Sequence, residues 1–165
     1  MELEQLLDRC HGLERRAAAL YRSFGAATRD DPKLCALWTE LARQEEEHAE
    51  SIERARTHLR MQGMSRTALD GWEATLAEVE ERLAAGERLG GSATPARQLA
   101  AALDVEMTEL DALRGVALVA ANEPAPTEQE DHAERLARVA ESLSQDPQVR
   151  LQAALVRARA RLGRA

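Results

Sequence analysis

Residues 34–59 read LCALWTELARQEEEHAESIERARTHL. Their apolar positions recur in steps of three and four: Leu34, Leu37, Leu41, then Ile52, Ala55 and Leu59. That spacing draws one stripe along an α-helix, the face that a soluble helix turns to its core. Glu45 and His48 occupy two consecutive positions of the same stripe. A carboxylate buried without compensation costs several kcal/mol, or else takes up a proton. The stretch therefore specifies a long helix and places two polar groups where core residues belong.

Working outward, Asp30-Asp31-Pro32 precedes this helix, with Pro suited to its first position. Residues 3–27 form the preceding helix, with Leu3, Leu6, Cys10, Leu13, Ala17, Leu20 and Phe24 in helical register. Further helices are expected over 68–88, 95–121, 127–144 and 147–163. The breaks between them fall at Gly63, Gly90-Gly91, Pro124 with Pro126, and Asp146-Pro147. The 68–88 segment carries Leu69, Trp72, Leu76, Val79 and Leu83 with no charge on the stripe, which marks plain packing. Long inward-striped helices joined by short links make an all-α bundle, here one domain spanning residues 1–165.

Composition agrees. Of 165 residues, 22 are basic and 29 acidic, giving a net charge of −7, and there are five prolines and four aromatic residues. An acidic surface argues against nucleic acid as the main partner. No run approaches 18 apolar residues and the N-terminus has no basic-then-apolar stretch, so neither a membrane span nor a secretory signal is expected. Two cysteines, Cys10 and Cys35, fall at different heights on neighbouring helices; they are expected as thiols in a reducing cytoplasm. The last helix holds five Arg and no acid from Arg150 to Arg164, which suits either an anionic partner or a solvated tail.

Two other helices also place carboxylates inward. Glu14 shares a face with Leu7, Cys10, Ala17 and Tyr21, and Glu106 lies on the seam of Leu99, Leu103, Leu110 and Leu113, with Glu109 at its edge. Counted from a turn centred near Asp30, Glu14 lies about 16 residues back and Glu45 about 15 forward, so both sit roughly 22–24 Å from that end of a hairpin. Glu45 and His48, three apart, point the same way and can offer an oxygen and a nitrogen to one ion. A shared cation explains inward carboxylates on three helices most simply. Carboxylate-rich coordination with some imidazole suits iron or manganese, and zinc is compatible. Tyr21, within reach of Glu14, reads either as a redox group or as a core tyrosine bonding a carboxylate.

Glu14 with Ala18 and Tyr21, followed by Trp38, Leu41 and Glu45-Glu46-Glu47-His48-Ala49, resembles the first helix pair of rubrerythrin-like ferritin-like proteins. The stretch from Pro95 to Glu106 resembles the start of their third helix, and Glu109 a further carboxylate used there. The resemblance covers roughly residues 3–60 and 95–121. It implies a ferritin-like four-helix bundle with a crossover helix (68–88) and an extra C-terminal helix. It also implies metal ligands Glu14, Glu45, His48, Glu106 and Glu109, one or two iron ions with manganese as an alternative, and non-haem oxidoreductase chemistry on dioxygen or peroxide. The fourth helix departs from the pattern: Gln129-Glu130-Asp131-His132 has Gln where the family has Glu, and His132 sits too near its helix start. Near the expected depth only Glu141 is offered. The competing expectation is a metal-free degenerate bundle acting by protein–protein contact, with its inward Glu paired to Arg. A homodimer is expected on either reading.

Overall fold

The computed structural model describes residues 1–61, 71–90, 92–108, 115, 118–119 and 132–162. Among them the regular structure is helical: α1 Leu3–Ala27, α2 Pro32–Met61, α3 Trp72–Leu89, α4 Pro95–Glu106, α5 His132–Leu143 and α6 Pro147–Leu162. None of these helices is long and apolar enough to cross a membrane.

The helix starts follow the local chemistry of the chain. Asp31 Oδ1 accepts from the backbone N–H of Lys33 at 3.0 Å and of Leu34 at 3.1 Å, satisfying two donors that the first turn of α2 leaves open. Asp146 repeats the device ahead of α6, accepting from Gln148 N at 2.8 Å. In both cases Pro follows the aspartate, where its missing N–H costs nothing. Gly90 closes α3 at φ +59°, a conformation that a side chain would strain.

Cross-helix pairs establish the register. Glu4 binds Arg60 at 2.6 Å and Asp8 binds Arg56 at 2.9 Å, so α1 and α2 run antiparallel as a hairpin. Arg9 meets Glu80 and Arg16 meets Glu87, at 2.6 and 2.9 Å, so α3 lies parallel to α1. The helix α4 packs on α3, α5 and α6, while α5 also touches α2. The helix that reaches both α2 and α4 is thus the one over 132–143. Gln152 holds α6 to α4 through Asp104 Oδ1 at 2.6 Å.

One core runs through all six helices. It joins Leu6, Leu13 and Phe24 to Leu41 and Ile52, Leu76 and Leu83, Leu99 and Leu103, Leu136, and Val149 with Val156. Between α1 and α3 the packing is tight at Gly86, where an added Cβ would stand 2.8 Å from Leu20 Cδ2. Gly86→Val is therefore expected to destabilise the fold by about 1–3 kcal/mol through overpacking. An unchanged urea midpoint for this variant would contradict the close approach.

The third expected helix needs correction. Rather than running unbroken, α4 ends at Glu106 and Met107 and Thr108 turn the chain, while Gly115, Leu118 and Val119 of the expected stretch are again helical. The Thr108 hydroxyl donates to the Val105 carbonyl at 2.6 Å, a local bond that competes with helical pairing. Apolar periodicity cannot register a break whose two sides keep the same spacing. Glu109 lies outside the described residues, as do 127–131 of the fifth expected helix.

Candidate metal centre

Glu14 on α1 and Glu45 and His48 on α2 converge inside the hairpin, and each offers a ligand atom within 4.8 Å of the others. All three are buried, with exposures of 0, 5 and 3 %. Their meeting follows from the hairpin register, since both helices count the same distance from the turn. His48 Nδ1 lies 2.9 Å from Glu45 Oε2 and 3.6 Å from Glu14 Oε2. Donor atoms roughly 2.1 Å from one ion stand about 3.0–3.4 Å apart at tetrahedral or octahedral angles. The two spacings lie close to that range, the shorter being also a hydrogen bond between the two side chains, so the three groups could hold a small cation.

The electrostatics point the same way. Burial and the neighbouring charge of Glu45 push the Glu14 carboxyl up from 4.5 to about 8, with His48 pulling in the opposite direction. Without a cation, Glu14 thus holds a proton at neutral pH. The groups that dominate its surroundings are a carboxylate and an imidazole, so a metal would find three ligating side chains there.

Beside this cluster stands an aromatic layer. Tyr21 is fully buried, its ring stacked on Trp38 with centroids 6.0 Å apart, and Phe24 meets Trp38 edge-on at 5.3 Å. The Tyr21 hydroxyl donates to Glu106 Oε1 at 2.8 Å. Burial, then the charges of Glu106, Glu45 and Glu14, hold the phenol well above its usual range. Tyr21 is therefore a core tyrosine bonding a carboxylate, but that carboxylate is Glu106 and not Glu14. No spacing within one helix reveals this bond, because it joins α1 to α4 across 85 residues of sequence.

The remaining candidates separate. Glu106 is half-buried and is not one of the three atoms that close together. His132 opens α5, and its side chain, like Glu109, lies outside the described residues. Glu141, the carboxylate nearest the expected depth on α5, is engaged by Arg157. Glu46 and Glu47 form ion pairs with Arg22 and Arg43 on the outer face of α2, as a solvated acidic face would. Cys10 and Cys35 are both thiols, the first buried and the second half-buried. Comparison with known protein families, with curated proteins and with solved structures returns no match.

Proposed function

We propose that the protein is a ferritin-like metalloprotein that binds iron, or manganese, at Glu14, Glu45 and His48, with Glu106 as a further carboxylate. One observation carries the reading: three ligating side chains from two helices meet in a buried site at coordination-like spacings. Such a cluster costs folding free energy unless something compensates its charge, and a divalent cation does so directly. Two carboxylates and one imidazole favour iron or manganese over softer metals.

The chain's own residues divide the work. Glu45 would anchor the ion, with His48 adding a nitrogen from the same helical turn. Glu14 surrenders its proton on binding, so affinity rises with pH until that carboxyl is ionised without help. Burial of all three side chains limits water around the site. Bound iron would supply one-electron and dioxygen or peroxide chemistry.

The test is metal content per chain, by plasma mass spectrometry, on protein purified without chelator or affinity tag. Iron or manganese near one or two per chain is expected in the unaltered protein. Glu45→Ala and His48→Ala should each weaken retention by at least ~100-fold, through loss of a direct ligand. No metal after anaerobic ferrous loading would overturn the proposal and leave the cluster as a proton-sharing core network.

A further inference from the structure

We infer that the outer face of α6 is a docking surface for a helix of another protein, one with an apolar seam and acidic flanks. This face takes no part in the metal centre. The helix α6 is apolar on two opposite sides. On one side Val149, Ala153 and Val156 are buried in the core. On the other, Leu151, Ala154, Leu155 and Ala158 are all exposed. Leu151 and Leu155 stand 63 and 55 % accessible, two of the four large apolar side chains left open among the described residues. A helix that is apolar all round is ordinarily covered on every side. Here the second side has no cover among the described residues.

The spacing gives the shape of what fits. Leu151, Leu155 and Ala158 follow in steps of four and three, the d-a-d run of a coiled-coil heptad, on a helix about 24 Å long. So narrow a seam takes the ridge of one further helix. Charge then selects which helix. From Pro147 to Leu162 there are four arginines, Arg150, Arg157, Arg159 and Arg161, and no acidic residue. Arg159 and Arg161 fall at the e and g positions that border the seam, and residues there set partner choice. Arg159 is held in place beside it, exposed but bonded to the Met107 carbonyl at 2.6 Å. Pairing α6 with α6 of a second copy would line the seam with charges of one sign, and like charges set across an interface cost several kcal/mol. An anionic bilayer is served poorly as well, because α6 has no aromatic anchor and belongs to a chain of net charge −7. Glutamates flanking an apolar stripe answer both the leucines and the arginines.

The probe is a synthetic helical peptide with leucine at a and d and glutamate at e and g, labelled for fluorescence anisotropy and titrated with the full chain. A twin with lysine at e and g is run beside it. The acidic peptide is expected to bind at least ~10-fold more tightly than its twin, and the margin should shrink as salt is raised. Leu151→Ala combined with Leu155→Ala should weaken that binding at least ~10-fold. Helical content and the urea midpoint should be kept in this double variant, since neither leucine belongs to the core. No binding at ~1 mM acidic peptide, equal affinity for the twin, or binding that ignores the double variant would overturn the inference. Sedimentation velocity of the free chain and flotation with phosphatidylglycerol vesicles test the other two occupants. A dimer that the double variant dissociates would assign the face to a second copy and overturn the inference. Vesicle binding that the double variant abolishes would assign it to a membrane, with the same consequence.

Discussion

Raising the pH from about 5 to about 9 is expected to remove on the order of 3–5 kcal/mol of unfolding free energy from the metal-free protein. The cause is Glu14, whose carboxyl is raised from 4.5 to about 8 by burial and by Glu45. Between those two values the folded chain binds a proton that the unfolded chain has released. Stability therefore falls as pH rises through the window, and it levels off above about 8, where both states are ionised. Below 4.5 both are protonated and the group contributes no slope. Urea unfolding at about pH 5, 7 and 9 in chelator would measure the effect. Glu14→Gln, which cannot ionise, should flatten the profile and be the more stable protein at high pH. Equal slopes for the two proteins would show that Glu14 does not carry the proton. With a cation loaded, the slope should reverse, because the ion binds the ionised carboxylates and competes with the proton.

That pH response rests on a cluster largely legible in the sequence, and the reason is geometric. A hairpin turns helix periodicity into three-dimensional register, so counting from Asp30 places Glu14 beside Glu45 and His48. The ion pairs Glu4–Arg60 and Asp8–Arg56 follow the same register. The helix starts at Pro32 and Pro147 were readable too, and Asp31 and Asp146 cap them with bonds within three residues. Contacts between separate helical hairpins were not. The Tyr21–Glu106 bond depends on how α4 is set against α1, which no local spacing encodes. Within the α5–α6 pair, Arg157 engages Glu141, the carboxylate that depth alone makes a ligand candidate. The stop at Glu106 escaped because Met107 and Thr108 resemble helix interior in their periodicity.

Trp38 tests whether the aromatic layer is a support or mere filling. It is the largest fully buried side chain, wedged between Tyr21 and Phe24. Gly25 lets α1 come close to it: a Cβ there would lie only 3.3 Å from Trp38 Cβ. Trp38→Ala is expected to cost about 3–5 kcal/mol, the usual price of an aromatic-sized cavity that its neighbours fill only in part. Trp38→Phe separates two opposed effects. The indole Nε1 is buried and has no hydrogen-bond acceptor among the described residues, a penalty of about 1–3 kcal/mol that Phe removes. Phe also leaves a smaller void, whose cost is of similar size. The net change should therefore stay within about 1 kcal/mol of the unaltered protein, against the large loss for Ala. Urea midpoints for the two variants would decide it. Equal, large losses would mean that the indole nitrogen is satisfied in solution and that its bond, not its volume, holds the layer over the cluster. The expected inequality would instead make Trp38 a packing wedge that fixes the Tyr21 ring, and through it the direction in which Glu106 is held.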